Sequence, residues 1–574
     1  MRKILRVNMT EMQASYHDVP DKYKWHGGRS LIARIATDEI DPACDPLGPD
    51  NKLIIASTIF AGTPISTGNR VSVGGKSPLT KGIKEANAGG TAGIQLAKQA
   101  IKAIIVEGTP KTDDLYIIYI DKTGKADILA ANEYKGMCNF ELVQKLKERF
   151  SDDISVMCAG LAGERKNVIA SVMVTDQATG QPVRAAARGG MGAVMGSKGI
   201  KAIVIEKPSA PYKREFADEK RLLALNKEYV KLLLTNPMLA GRNKVGTSGG
   251  VKPKEAKGII PVKNFRSMPF PDVKGCDAEA FYEHVLASGG KAGLVCQPGC
   301  VIRCSQVFNR DGKFFSSGVQ YETIGLCGTN LMIGDIDKIA EISTICDDYG
   351  IDTIDLGAAI GIFMEAGILE WGDSEGTLKL LGEMVRGDTE YGRLLPSGIR
   401  NVGKALKVDR LPETKGQAFA AYDPRATPTH GAQFMWGTHG GDHTQGGPVP
   451  DKEGNWTTNK INLPLTVALD SCMCLFGQFP ILFDGKHEFL KQFIESIYGG
   501  EWSVEKVFSI LGDDTITLEL RFNEKAGVGG VEKLPEFFYT EKSVITGKVC
   551  KYPLEQFDEL QQYYIDRELT QKEW

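Results

Sequence analysis

The chain has 574 residues, 42% of them hydrophobic and 25% charged, with a formal net charge of −3. Such a length implies about three or four domains rather than one core, and so small a charge argues neither for nucleic acid nor for an anionic membrane surface as partner. Twelve cysteines are dilute over this length, the opening Met1-Arg-Lys-Ile-Leu-Arg-Val-Asn lacks an apolar signal core, and no run of about 18 apolar residues occurs, so the expected setting is reducing, cytoplasmic and free of membrane spans.

In chain order, residues 1–210 carry short β-type runs: Leu53-Ile-Ile-Ala, Ala103-Ile-Ile-Val-Glu, Leu115 to Ile120, Ile154-Ser-Val-Met, Val168 to Val174 and Ala202-Ile-Val-Ile. Dense glycine and proline punctuate them, which predicts a sheet-rich domain with few helices. Residues 211–410 change texture. Amphipathic patterns at Asp218–Thr235, Ala278–Ser288, Asp335–Asp348 and Asp355–Leu369 predict a mostly helical domain, with Ile354–Leu369 a buried helix that carries Asp355 and Glu365. Residues 411–574 open on a Gly/His/Pro-rich loop, Tyr422–Val449, and return to helices around 463–476, 486–499 and 553–565. The whole reads as an α+β fold.

One internal echo stands out. Gly89-Gly90-Thr-Ala-Gly93 leads through a helix-length stretch to Ile101-Lys-Ala-Ile-Ile-Val-Glu107, and Gly189-Gly190-Met-Gly192 leads in the same way to Ile200-Lys-Ala-Ile-Val-Ile-Glu206. Glycines let backbone N–H groups approach an anion, and a following helix adds its positive end, so two such turns predict two similar phosphate-bearing ligands. Arg70 and Lys76 precede the first turn, and Arg184 and Arg188 the second. The competing reading is that paired glycines only permit tight helix–strand packing. A dinucleotide fold fits less well, because Gly190-x-Gly192 follows the run Arg184-Ala-Ala-Ala-Arg188 rather than a strand.

Near the middle lies Val295-Cys296-Gln-Pro-Gly-Cys300-Val-Ile-Arg-Cys304, three thiols within nine residues. Thiols so close suit a soft metal centre better than a disulfide brace, and Pro298 and Gly299 keep the loop irregular, so that the sulfurs can converge. A structural zinc site usually shows two separated Cys/His pairs. Three local cysteines with a distant fourth are the habit of an iron–sulfur cluster. A packing role without metal is the third alternative. Asp470-Ser-Cys472-Met-Cys474 offers the missing ligand, and the cysteines at 44, 138, 158, 276, 327, 346 and 550 predict buried packing.

Glu322, in Tyr321-Glu322-Thr323, is on its own as easily a capping or solvated group as a catalytic one. His443, in Gly437-Thr-His439-Gly-Gly-Asp442-His443, is more conspicuous. The chain has only seven histidines, and Asp442 could orient the imidazole; an exposed loop histidine is the plain alternative. Asp347-Asp-Tyr-Gly350-Ile-Asp352 has the form of a helix C-cap followed by an N-cap.

Together these segments carry a resemblance that covers essentially the whole chain. His26-Gly-Gly-Arg29-Ser-Leu31, Asp45-Pro-Leu-Gly-Pro49, Gly75-Lys-Ser-Pro-Leu-Thr80, Glu85-Ala-Asn87-Ala-Gly-Gly90, Arg188 to Lys198, the cysteine run, Tyr321-Glu-Thr323, Asp347 to Asp352 and Tyr422-Asp-Pro-Arg425 resemble the aldehyde:ferredoxin oxidoreductase family. Its members are tungsten or molybdenum bis-pterin enzymes with one 4Fe–4S cluster. The resemblance implies a sheet-rich base, residues 1–210, under two mostly helical domains, 211–410 and 411–574. It implies that Arg70, Asn87, Gly89 and Gly90, and Ala187, Arg188, Gly189 and Gly190, serve two pterin phosphates and a bridging Mg2+. Asp347, Gly350, Ile351 and Asp352, with Asp470 and Met473, would hold the pterin rings. Cys296, Cys300, Cys304 and Cys474 would hold the cluster, with Cys472 the alternative to Cys474, and Glu322 and His443 would be the acid/base pair. The cysteine gaps differ from the family's Cys-x2-Cys-x3-Cys and resemble a bacterial branch, and the second aspartate motif is one residue shorter and lacks its glycine.

The activity so implied is a two-electron oxidation of an aldehyde to a carboxylate. Glu322 activates water or takes a proton, His443 polarises the carbonyl oxygen, and electrons leave singly through the cluster to ferredoxin or a polyferredoxin-like subunit. A low-potential reductase of carboxylic or aromatic acids within a multi-subunit complex would keep the same cofactors. A non-catalytic cluster- or zinc-binding protein is the alternative of another class. Homo- and hetero-oligomers are both compatible.

Overall fold

The computed structural model describes residues 2–457 and 461–571. Strands β1 (Lys3–Asn8), β2 (Gln13–Asp18), β3 (Leu53–Ser57), β4 (Val71–Lys76), β5 (Ile83–Ala88) and β6 (Ile101–Glu107) form one six-stranded sheet, in the order β2-β1-β6-β3-β4-β5. Strands β7 (Tyr116–Ile120), β8 (Ala126–Ala130), β9 (Ile154–Cys158), β10 (Val172–Thr175), β11 (Pro182–Ala186) and β12 (Ile200–Glu206) form a second, in the order β11-β10-β9-β12-β7-β8. The helices among them are α1 (Gly28–Glu39), α2 (Ala92–Lys98), α3 (Asn139–Arg149), α4 (Gly160–Glu164) and α5 (Met191–Ser197).

Period-two alternation builds the layers. Leu53 and Ile55 of β3 point into a core shared with Ile118, Ile120, Ile203 and Ile205 of the other sheet, while Ile54 and Ala56 pack on Leu31, Ile32 and Ile35 of α1. Ile117, Ala202 and Val204 face outward onto Leu142, Val143 and Leu146 of α3 in the same manner. Both faces of each sheet are therefore covered, which is why the strands read as unbroken apolar runs. Each fully buried Ile or Leu contributes ~1.5–3 kcal/mol. Helices are more numerous here than the sequence suggests, because α4 and α5 are short and built of glycine and other small residues that show no amphipathic period.

The two sheets are copies of one unit. In each, a hairpin, a helix, a three-stranded meander, a glycine turn and a short helix precede a last strand that returns between hairpin and meander, parallel to the first strand and antiparallel to the third. The repeated Gly-Gly and Lys-Ala-Ile segments mark the same place in both copies. Pro182–Ala186 is a strand, contrary to the reading of its alanines, since pairing with β10, Val172 opposite Ala186, overrides helix propensity. Even so, β11 and β12 run in opposite directions, so the unit is not the parallel crossover of a dinucleotide fold.

Beyond Glu206 come α6 (Glu219–Thr235), α7 (Arg242–Val245), α8 (Val251–Glu255), α9 (Ala278–Ala287), α10 (Tyr321–Cys327), α11 (Ile336–Tyr349), α12 (Thr353–Glu365), α13 (Ser374–Arg386), α14 (Glu390–Leu394), α15 (Ile399–Leu406), α16 (Pro428–Trp436), α17 (Asn462–Asp470) and α18 (Leu475–Leu482), then helices at Glu488–Tyr498, Asp514–Lys525 and Leu554–Asp566. Helix α12 is buried from Ile354 to Met364, as its apolar run predicts. A three-stranded sheet, Lys291–Leu294, Ser305–Arg310 and Lys313–Ser317, interrupts the helices, its strands too short and unevenly exposed to show a period; the cysteine run is the loop between its first two strands. The helix expected over 463–476 is broken because the N-terminal half holds Ser471–Cys474 by hydrogen bonds: Ile59 N–H donates to Ser471 O, Ser30 N–H to Ser471 Oγ and Cys474 N–H to Thr67 O, each at 3.0 Å. Among the described residues no helix is long and apolar enough to cross a membrane.

A buried ion pair joins the first helix to the C-terminal region. Arg29 donates through Nε to Glu519 Oε1 (2.8 Å) and through Nη2 to Oε2 (2.7 Å). Glu519→Gln leaves a buried guanidinium without its charge partner and is expected to cost ~3–5 kcal/mol. Urea unfolding checks this; an unchanged midpoint would mean that the pair does not join the two regions.

Candidate active site

The cysteine loop rests on the first glycine turn. Gly90 N–H donates to Cys296 O at 3.0 Å, and a Cβ on Gly89 would stand 3.2 Å from Cys296 Sγ and 3.4 Å from Arg70 Nη1. Cys474 caps α18. Burial raises the Cys296 thiol, and Cys474 adds to the effect. Cys300 is pushed up to about 12 by burial and by Cys296 and Cys474, and Cys304 is raised well above the ordinary thiol range by burial and by the other three. Three raised thiols with Cys474 beside them are a donor set that a cationic iron–sulfur core would stabilise.

Cys472 lies outside this set. It is fully buried in an apolar cluster with Leu469 and Phe479, and beyond burial only Asp470 acts on it. Cys474 thus acts on the other three thiols and Cys472 on none of them, although the apolar cluster around Cys472 also takes in Cys300. Among the described residues no three His, Cys, Asp or Glu converge closely enough to hold a single metal ion. Arg184 stands here too, beside Cys296 and Cys304, donating to Asp176 (3.0 Å) and Ser317 (3.1 Å) rather than to the second glycine turn. Lys76 likewise leaves the first turn, donating to Cys44 O at 2.7 Å.

The first glycine turn presses on the opposite sheet and the second on the loop before β10 of its own unit. Gly90 has φ +94° and a Cβ there would meet Thr175 O at 2.7 Å; Gly190 has φ +77° and its Cβ would meet Val168 O at 2.2 Å, so neither position tolerates a side chain. At the first turn Arg70 Nε donates to Asn87 Oδ1, and Asn87 Nδ2 to Ser72 Oγ at 3.1 Å. At the second, Ser77 Oγ donates to Gly189 O (2.7 Å) and Ser171 Oγ to Ala187 O (2.9 Å). The Arg188 guanidinium is fully occupied by Asp352 (3.3 Å), Asp355 (3.2 Å), Ala418 O and Gly441 O (2.8 Å). It ties the turn to the Asp352 cap and to the loop of His443.

The capping reading of 347–352 holds together with this contact. Gly350, φ +88°, ends α11, and Asp352 accepts from Ile354 N–H (3.2 Å) and Asp355 N–H (3.1 Å) at the start of α12. Ile351 bridges to Ala170. Burial lifts Asp347 well above the ordinary carboxylate range and carries Asp470 up to about 6, against the pull of Arg29 and Arg70. Glu85, which sequence reasoning placed only within a motif, is pushed up to about 8 by burial and by Asp470, and its Oε1 is buried without a hydrogen-bond partner among the described residues. Acceptors in this state fit a ring system rich in N–H donors, such as a pterin. The Met473 side chain packs in the apolar cluster, its sulfur accepting from Tyr229 OH at 3.2 Å.

Glu322 and His443 meet. Tyr321 OH donates to Ala421 O (2.6 Å) and Ala421 N–H donates to Glu322 Oε2 (2.7 Å), so α10 grips residue 421 from both sides. His443 Nε2 stands 3.3 Å from Glu322 Oε1, while Glu322 Oε1 and His443 Nδ1 have no hydrogen-bond partner among the described residues. Asp442 does not orient His443 as expected. It pairs with Lys84 at 2.6 Å and accepts from Thr444, so it anchors the loop instead. Behind the pair Tyr422 stacks on His430 with centroids 4.0 Å apart. Both catalytic candidates line a cavity of about 860 Å³, with an apolar wall from α18 and a wall carrying Arg242 and Lys254. Tyr422 was legible within its motif; Arg242, Lys254 and His430 gave no signal, since none sits in a recognisable spacing.

The family "aldehyde ferredoxin oxidoreductase, N-terminal domain" matches residues 4–207, and "aldehyde ferredoxin oxidoreductase, domains 2 & 3" matches 224–573. The tungsten-containing aldehyde ferredoxin oxidoreductase of Pyrococcus furiosus is 31% identical, over 94% of this chain and 91% of that protein, and the Pyrococcus horikoshii protein of the same name is 30% identical over the same shares. The WOR-like subunit of a Pyrococcus furiosus aliphatic sulfonate oxidoreductase is 27% identical over 78% of this chain and 76% of its own length. Among solved structures, the BamBC active-site complex of benzoyl coenzyme A reductase with 1,5-dienoyl-CoA shares the fold, with a TM-score of 0.77 at 20% identity over 98% of this chain and 93% of that one. With both family domains matched in order around the paired glycine turns, the four thiols and the Glu322–His443 cavity, the chain belongs to the aldehyde ferredoxin oxidoreductase family.

Proposed function

We propose that the protein oxidises aldehydes to carboxylates and passes the electrons to ferredoxin or a polyferredoxin-like subunit. The observation that carries the reading is the Glu322–His443 pair, 3.3 Å apart, opening on a cavity. When bound, a tungsten or molybdenum bis-pterin supplies the two-electron acceptor and a 4Fe–4S cluster the one-electron exit. Cys296, Cys300, Cys304 and Cys474 would hold the cluster. Arg70, Asn87, Gly89, Gly90 and the main chain of Ala187–Gly190 would seat the pterin phosphates and Mg2+, with Arg188 fixing the second turn through Asp352. Asp347, Gly350, Ile351, Asp352, Asp470 and the main chain at Met473 would face the rings.

At the carbonyl, Glu322 Oε1, which has no hydrogen-bond partner among the described residues, takes a proton from an attacking water, and the His443 imidazole polarises the carbonyl oxygen. The Ala421 N–H holds the other carboxylate oxygen in place. The twelve free thiols suit a reducing, cytoplasmic setting, and the chain divides into domains near residues 210 and 410. Elemental and pterin analysis of anaerobically purified protein tests the reading. Expected are tungsten or molybdenum, pterin and about four iron per chain; zinc alone, without pterin, would overturn it.

A further inference from the structure

The cavity above Glu322 has two unlike walls. Phe476, Phe479 and Phe483 of the α18 segment make one side apolar, whereas Arg242 of α7 and Lys254 of α8 place two cations on the other. Three buried cations of the site are matched by carboxylates, Arg29 by Glu519, Lys84 by Asp442 and Arg188 by Asp352 and Asp355, while Arg70 bonds Asn87. Arg242 and Lys254 are not. Arg242 Nη1 donates to Gly246 O (3.2 Å) with its guanidinium over the Phe476 ring, 5.0 Å from the centroid. Lys254 Nζ lies 3.5 Å from the Tyr321 ring centroid and donates to Tyr422 OH at 3.2 Å. Neither forms an ion pair among the described residues. Burial lowers both groups, Lys254 to about 8, outweighing the opposing pull of Glu322 on Lys254 and of Cys304 on Arg242. A partly desolvated cation without an ion-pair partner is costly, and the cavity that both side chains line has room for an anion.

We propose that the substrate is an aldehyde carrying a second, negatively charged oxyanion head, which Arg242 and Lys254 bind while its carbon skeleton lies on Phe476 and Phe479. The proposal rests on the aldehyde-oxidising reading above and names its substrate class. It makes Arg242 and Lys254 specificity-determining residues: a charge-assisted hydrogen bond discriminates between a carboxylate and a methyl group by roughly tenfold or more.

The test compares 4-oxobutanoate with butanal, which have equal carbon chains, as substrates of the holoenzyme with a viologen acceptor. The wild type is expected to favour the anion in kcat/KM by about tenfold or more, Arg242→Met and Lys254→Met each to reduce that ratio by about tenfold, and Arg242→Lys to retain most of it. A wild-type ratio near one, or a ratio that neither variant alters, overturns the proposal. Calorimetric titration of the holoenzyme with butanedioate and butanoate reads the same subsite without turnover. Tighter binding of the dianion, lost in Arg242→Met, supports the subsite even if no aldehyde were oxidised, an outcome that would refute the aldehyde reading alone; equal binding of the two acids overturns the subsite whatever the activity.

Discussion

Cys474→Ala is expected to purify with little of its iron and without aldehyde-dependent electron transfer, whereas Cys472→Ala keeps both. The two thiols are separated by one residue but sit in different surroundings. Cys474 starts α18, is half-buried, and acts on each of the three loop thiols. Its main chain is fixed by the bond to Thr67 O, so the thiol has little freedom to be replaced by a neighbour. Cys472 is enclosed by apolar side chains, and its truncation leaves a small cavity worth on the order of 1 kcal/mol. Iron per chain and the visible iron–sulfur absorption separate the variants. Equal iron in wild type and Cys474→Ala, or iron lost from Cys472→Ala instead, would reverse the assignment.

Glu322→Gln is expected to lower kcat by about 10²–10⁴-fold while tungsten or molybdenum, pterin and iron stay at wild-type levels. The glutamine is isosteric, and its carbonyl can still accept from Ala421 N–H, so α10 and the cavity wall keep their places. What disappears is the proton acceptor at Oε1, the atom that faces His443 and has no hydrogen-bond partner among the described residues. The loss should fall on kcat more than on KM, as for a group acting on the transition state. A variant that turns over at the wild-type rate with full cofactor content would remove Glu322 from the chemistry.

Much of this arrangement was legible in the sequence, and the exceptions have physical causes. The duplicated unit left its trace at Gly89-Gly90 and Gly189-Gly190 because the turn geometry excludes any Cβ, 2.7 Å from Thr175 O in one copy and 2.2 Å from Val168 O in the other. The strands showed because Leu53–Ala56 and Ala202–Ile205 are covered on both faces. By contrast, the strand Pro182–Ala186 has alanine-rich helix propensity and is made a strand only by its pairing with β10. The break at Ser471–Cys474 depends on Ile59, Ser30 and Thr67, hundreds of residues away in sequence. Side-chain roles were the least legible part. Whether Arg184 serves a phosphate or braces the cysteine loop, and whether Asp442 meets His443 or Lys84, is decided by tertiary neighbours that no local pattern records. Arg188 shows the same limit: its guanidinium links Asp352 to the His443 loop, a connection that its position before two glycines does not announce.

The central claim, that an aldehyde in the Glu322–His443 cavity delivers its electrons to a cluster held by Cys296, Cys300, Cys304 and Cys474, is tested most directly by mixing the oxidised holoenzyme anaerobically with an aldehyde, without acceptor, and following the iron–sulfur absorption. The account predicts prompt bleaching in the wild type and far slower bleaching in Glu322→Gln, both bleached fully by dithionite. Bleaching by dithionite but not by any aldehyde, or equal bleaching in both proteins, would contradict it.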